Sequence, residues 1–279
     1  MTSEVMGELN IGIGATGDLR LRVSVATLVR VLFENPEDGE WMLALERKAT
    51  LLEDKSDLTV EVIVQPFGGA IRIHDLRLLR EQIGDFHFDS EQSRSEQDFR
   101  IFIKPSAWEA VQEFCLQHLT GPEDPVLESD PRRELAEEFA DSLGVKLNAE
   151  QYVLTSLGTV LEDNPAPTAN IHARNHPTVR IYRIFEARIL DSSLSRAMMI
   201  NSQRFSNQEL HELARADARN GGDGRANAVL TLPLRPLAET YLALAPETRN
   251  APILFQSDRL DETVAAILDG VKVPKYHGL

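Results

Sequence analysis

At 279 residues, with 42% hydrophobic and 26% charged content, the chain has the composition of a globular protein and the length of one large domain or two small ones. A formal net charge of −15 excludes a general nucleic-acid or anionic-membrane binder, because both partners reward clustered Lys and Arg. One cysteine, Cys115, allows no internal disulfide, and there is neither a basic-then-apolar leader nor a run of about 18 apolar residues, so a cytoplasmic protein is expected.

Gly12-Ile-Gly14-Ala-Thr-Gly17 has the spacing of a dinucleotide loop, but no strong strand precedes it and no clear helix follows, so an N-terminal strand or arm is expected. Leu19 to Phe33 is rich in Val and Leu and predicts a long buried strand. Asn35-Pro-Glu-Asp-Gly39 predicts a tight turn into a second strand, Trp41 to Arg47. A third apolar run, Val60 to Val64, leads into Gln65-Pro-Phe-Gly68-Gly69, where glycines allow close backbone approach or a plain turn. Leu76 to Ile83 reads as a short helix, Gln97 to Ile103 as an alternating strand and Trp108 to His118 as an amphipathic helix.

Arg133 to Val145 carries the chemistry. Leu135, Phe139 and Leu143 recur every four residues and make an apolar stripe, and Gly144 supplies a stop. Glu134, Glu137 and Glu138 crowd a different face, where like charges at i, i+3 and i+4 repel by about 0.2 to 0.5 kcal/mol per pair. A hard divalent cation with oxygen ligands, Mg2+ or Mn2+, removes that repulsion. The alternative is a solvated acidic surface, which a Gly68-Gly69 pair remote from Glu137 would support.

Arg133-Glu134-x-x-Glu137-Glu138, with Gly68-Gly69 upstream, resembles the second half of the Nudix box, G-x5-E-x7-R-E-U-x-E-E-x-G-U. The strand, acidic turn and strand ending in Arg47 are similar to the start of a Nudix sheet. Asp98-Phe-Arg-Ile-Phe-Ile, the helix with Trp108 and Phe114, and the charged run into Arg133 resemble the SMODS-associated Nudix family of bacterial conflict systems built on nucleotide second messengers. The resemblance spans Trp41 to Val145. It implies an α/β fold, an α/β/α sandwich with a mixed sheet, in which residues 1–249 form the domain, 131–144 the metal-binding helix and 250–279 a helical tail. Gly69 and Arg133 are 64 positions apart, far more than the box needs, so an α+β element over about 72–125 is expected to protrude from or fold over the site.

The family reading implies metal ligands at Glu134, Glu137 and Glu138 with the Gly69 carbonyl, Glu134 as base, Arg133 orienting a glutamate, and a nucleoside diphosphate linked to another moiety as substrate. It would place the protein in bacterial antiviral defence. Pro125 stands where the box has its first glutamate, with Glu123 and Glu128 nearby, and Ala140 where it has a glycine. Gly144 follows one turn later, as a longer helix would give. The Pro125 departure and the long insert support a second reading, a nucleotide-sensing module without turnover.

Beyond the helix, Gln151 to Val160 and Thr178 to Leu190 read as strands around a loop, Glu162 to Pro177. Period-two counting puts Glu186 on one face with Arg180, Tyr182 and Arg188, and Arg183 on the other with Ile181 and Phe185. The resemblance offers Glu186 as an acid outside the box, a further ligand or base, and the residues alone offer a strand ion pair. Gln208 to Arg219 predicts a helix, Asn220 to Asn227 a glycine-rich loop, Ala228 to Leu234 a strand and Pro236 to Leu244 a helix. Arg47, Arg180 and Arg225 are the expected phosphate contacts. A short amphipathic helix, Asp261 to Leu268, is expected to rest on the domain or on a second copy in a homodimer.

Overall fold

The computed structural model describes residues 20–51, 60–119, 121, 124–167 and 176–234. Among the described residues eleven strands and six α-helices run in the order β1 (Leu21–Glu34), β2 (Trp41–Leu51), β3 (Val60–Gln65), β4 (Phe67–Ala70), β5 (Arg72–Ile73), α1 (Leu76–Ile83), β6 (His87–Phe88), α2 (Glu91–Glu96), β7 (Arg100–Ile103), α3 (Trp108–His118), β8 (Leu127–Glu128), α4 (Arg132–Leu143), β9 (Tyr152–Pro167), β10 (Pro177–Ile189), α5 (Ser192–Arg204), α6 (Asn207–Arg219) and β11 (Arg225–Pro233). The chain is therefore α/β, with a mostly antiparallel sheet.

β1 organises the nine-stranded sheet. On one side it pairs in parallel with β10 along its length, Arg22↔Thr178 to Leu32↔Arg188. Along its other side it pairs in turn with β7, β4 and β2, all antiparallel. β2 leaves β1 after Ala44 and continues between β11 and β3. The chain switches at Pro66 from pairing β2, as β3, to pairing β1, as β4; proline supplies no amide to either ladder.

Alternation along β1 divides the core. Its odd-numbered residues Val23 and Val25 lie under α1 and α3, and Val29, Val31 and Phe33 lie under α4 and α5. Its even-numbered Ala26 and Leu28 pack with Tyr182 and Ile184 on the reverse face. α6 covers that reverse side of β2, β3 and β11 through Leu210 and Ala214. α5 also seals the outer edge of β11: Asn201 Oδ1 accepts the Val229 N–H and Ser202 Oγ the Thr231 N–H.

Several elements depart from the sequence expectations. The 72–125 element does not protrude: β7 joins β1, and α1 with α3 cover Val23 and Val25, apolar positions that would otherwise face water. Within it, α2 takes residues expected to precede a strand, and Gln97 turns with φ 59° at its end. β9 runs on to Pro167 through part of the expected loop, where Leu161, Glu162, Ala166 and Pro167 pair with β10 across an irregularity in the ladder. β11 begins at Arg225, inside the expected glycine loop. α5 lies in a stretch without an assigned element. The Gly12–Gly17 motif and the helices expected over 236–244 and 261–268 lie outside the described residues. Among the described residues no helix is long and apolar enough to cross a membrane.

Candidate functional site

α4 buries Leu135, Glu138, Phe139 and Ser142, the i, i+3, i+4, i+7 pattern of a helix lying on a sheet. The Phe139 ring meets Phe67 of β4 at 5.1 Å and fixes the helix over the glycine pair. A glutamate thus falls within the buried stripe. Glu138 Oε2 accepts the Gly68 N–H at 2.6 Å. Gly68 is strand rather than turn, with φ 131°, and a Cβ there would stand 2.1 Å from the Thr27 carbonyl oxygen. A Cβ on Gly69 would meet Glu134 Oε2 at 2.3 Å. The missing side chain of Gly69 lets the Glu134 carboxylate lie against β4, and that of Gly68 lets β4 lie against β1.

β2 delivers a further acid that the sequence reading did not single out. Glu46 is completely buried, on the same face as Met42 and Ala44. Its Oε2 accepts from Gln65 Nε2 at 2.6 Å, and Lys48 Nζ lies 3.9 Å from Oε1, which has no hydrogen bond. Period-two counting from Met42 exposes it in retrospect, since a charge on the buried face of a strand needs a reason. Burial first, and then the Glu46 charge, push the Glu138 carboxyl well above its usual range despite the Gly68 N–H. Glu134 is raised as well, by burial against the opposing pull of Arg133.

Arg133 gathers the outer acids. Nη2 lies 2.6 Å from Glu134 Oε1, Nε donates to Glu128 Oε1 at 3.0 Å and Nη1 reaches Glu137 Oε2 at 3.1 Å. Glu128, not the residue at position 125, is therefore the upstream carboxylate beside the helix. Three carboxylates outweigh burial and raise the Arg133 pKa, so it is a fixed cation. Glu137, 58% exposed, turns away from the sheet. Asp98 also belongs to this neighbourhood: burial, opposed by Arg100 and reinforced by Glu96 and Glu134, raises it to about 6.

Other residues assigned by sequence fall elsewhere. Glu186 lies on the reverse face, as period-two counting predicts, where Arg30 and Arg188 hold it, so it is not part of the α4 cluster. Arg180 shares that face and pairs with Glu162 at 3.3 Å. Arg47 also points away, to the α5–α6 junction, where it donates to the Phe205 and Ser202 carbonyls. These two arginines are committed to the fold by the side of the sheet their parity assigns. Arg225 is exposed at the start of β11, on the same side of the β2–β11 ladder as Glu46 and four residues along from Val229, the partner of Glu46.

Among the described residues no group of three or more His, Cys, Asp or Glu is already arranged to hold a metal ion. The donor set nevertheless suits a hard cation: it is all oxygen, it includes a buried carboxylate oxygen without a hydrogen bond, and burial, with neighbouring carboxylates adding to it, raises two of its carboxyl groups.

No family model matches the chain, and no curated protein matches it. A solved structure described as the T. brucei MERS1–RNA complex aligns over 81% of this chain and 57% of that chain, at 8% identity and a TM-score of 0.25. A score that low does not establish a common fold.

Proposed function

We propose that the protein is a metal-dependent, Nudix-type hydrolase of phosphoanhydride bonds, acting on a nucleoside diphosphate linked to another moiety in a bacterial nucleotide-signalling or antiviral system, with a Nudix-like α/β/α sandwich as its scaffold. The observation that carries this reading is the seating of Glu134 and Glu138 on the side-chain-free Gly68-Gly69 strand, against the buried Glu46. Glu134, Glu137 and Glu138, with the Gly69 carbonyl, would hold Mg2+ or Mn2+, and Glu46 adds to the negative field. Such an ion, when bound, neutralises phosphate oxygens and acidifies water.

The chain's own residues set the rest. Arg133 holds Oε1 of Glu134 and leaves Oε2 over Gly69 to take the proton of an attacking water. Burial, and then the Glu137 charge, raise the proton affinity of that carboxylate against the pull of Arg133, which favours its acting as the base. Glu128 steadies the Arg133 fork from behind. Arg225, exposed on the Glu46 side of the sheet, is available to a phosphate.

One observation favours the second reading, a nucleotide-binding module without turnover. Arg133 already neutralises Glu134 and Glu137, leaving an ion-paired face rather than an assembled ligand set. The deciding experiment measures phosphate or nucleoside monophosphate release from dinucleotides, nucleotide sugars and linear or cyclic oligonucleotides in Mg2+ or Mn2+, for wild type and for Glu137→Gln and Glu138→Gln. Metal-dependent release abolished by both substitutions in folded protein supports the hydrolase. No release, with thermal stabilisation by one nucleotide, selects the binding module.

A further inference from the structure

A cavity lies between α3 and the β9–β10 ladder, and none of its lining residues belongs to the acidic cluster. Gln112, Cys115, Leu116 and Leu119 come from α3 and its end, and Thr159, Leu161, Ile181 and Arg183 come from the two strands. Its volume is about 170 Å3. Leucine, isoleucine and an un-ionised cysteine make most of the wall, since burial pushes the Cys115 thiol up. The one formal charge is Arg183.

Arg183 is unlike its neighbours. Arg22, Arg30, Arg180 and Arg188, the other arginines of β1 and β10, each sit on a carboxylate. Among the described residues Arg183 has no carboxylate. Its guanidinium donates from Nη1 to Thr159 Oγ1 at 3.2 Å and lies 5.6 Å from the centre of the Phe185 ring. Burial lowers its pKa with nothing opposing, yet an arginine stays a cation at neutral pH. A cation at an apolar cavity calls for an anion with an apolar body.

We infer that this cavity binds a small amphiphilic carboxylate, a planar acid group on an apolar body of about six to eight carbons, with Arg183 holding the acid and Leu116, Leu119, Leu161 and Ile181 the body. The size follows from the cavity: an apolar void of about 150 Å3 takes a benzene ring. The carboxylate follows from the donors: one planar fork, with only the neutral Gln112 and Thr159 beside it, matches a monoanion, whereas a phosphate dianion would leave a charge uncompensated.

The test is a methyl-resolved NMR titration of the full chain with phenylacetate, its uncharged counterpart 2-phenylethanol, and inorganic phosphate. Saturable shifts of the Leu116, Leu119, Leu161 and Ile181 methyls by phenylacetate, about tenfold or more weaker binding of the alcohol, and loss of that difference in Arg183→Gln are expected. Equal binding of acid and alcohol, phosphate binding as tightly as phenylacetate, no shift of these methyls, or an unchanged Arg183→Gln variant would each overturn the inference. Should Arg183→Gln fail to fold, the acid–alcohol comparison on wild type decides alone.

Discussion

Two adjacent glycines should respond in opposite ways to the same methyl group. In Gly68→Ala the new Cβ stands 2.1 Å from the Thr27 carbonyl oxygen, a backbone atom, at φ 131°. Positive φ alone costs an L residue about 1–3 kcal/mol, and relieving the clash also displaces β4 from β1, so a loss of about 3 kcal/mol or more is expected. That corresponds to a fall in Tm of roughly 6 to 12 °C for a chain of this size. In Gly69→Ala the atoms nearest the Cβ are those of the Glu134 carboxylate, at 2.3 Å for Oε2 and 2.6 Å for Cδ. A flexible side chain can retreat, and alanine suits a strand, so the Tm should change by less than about 3 °C. The carboxylate must nevertheless move by about 1 Å, a displacement that can cost an active site about a hundredfold in rate. Calorimetry paired with the metal-dependent release assay separates the two effects. If Gly69→Ala unfolds as readily as Gly68→Ala, or if Gly68→Ala is neutral, the argument from the β1–β4–α4 contacts is wrong.

Three further outcomes follow from the same contacts. Glu138 and Glu134 have folded-state pKa values raised by burial, with Glu46 the next cause for Glu138; their stabilisation is complete below the ordinary glutamate value of 4.5 and is lost as pH rises through the folded pKa, as it is for Asp98 between 3.8 and about 6. In EDTA, Glu46→Gln should therefore gain on the order of 1 kcal/mol over wild type at pH 8 and little at pH 4, read from urea unfolding at both values. Arg133→Lys keeps a charge but cannot fork to Glu128, Glu134 and Glu137 together, so hydrolysis should drop about tenfold or more with a stability change within about 1 kcal/mol, measured by the release assay and thermal unfolding. Asn201→Ala strands the Ser142 carbonyl and the Val229 N–H, which its amide serves at 2.9 and 2.8 Å, and should cost about 2 to 4 kcal/mol in urea unfolding.

Residues with a simple period disclosed their place in advance, and those whose role depends on a distant partner did not. β1, β2, α1, α3, α4 and α6 are legible because apolar recurrence at two or at three to four residues is local information. The opposite faces of Glu186 and Arg183 follow from parity alone, and parity is also what removes Glu186 from the α4 cluster. Arg47 misled because an arginine ending a strand looks available, while its partners, the Ser202 and Phe205 carbonyls, come from α5 and its end, more than 150 residues on. β9 passed for loop beyond Val160 because its strand state is imposed by β10, not by composition.

Glu46 is the instructive omission. Its neighbours Met42, Ala44 and Leu45 make the strand obvious, and that same pattern makes the glutamate anomalous, since parity sends it inward where a carboxylate loses hydration. A fold selected only for stability would place an apolar side chain there, opposite Val229 and near Glu138. Instead the structure buries two carboxylates beside each other and leaves one oxygen, Glu46 Oε1, without a hydrogen bond. The cost falls where α4 meets the glycine strand, where the sequence also removes side chains from the backbone. Local rules are broken twice at a single point, by buried charge and by paired glycines, a coincidence for which the proposed cation site would account. On the proposed reading, a cation shared by Glu134 and Glu138 would offset the first conflict, and the side-chain-free Gly69 would give it room.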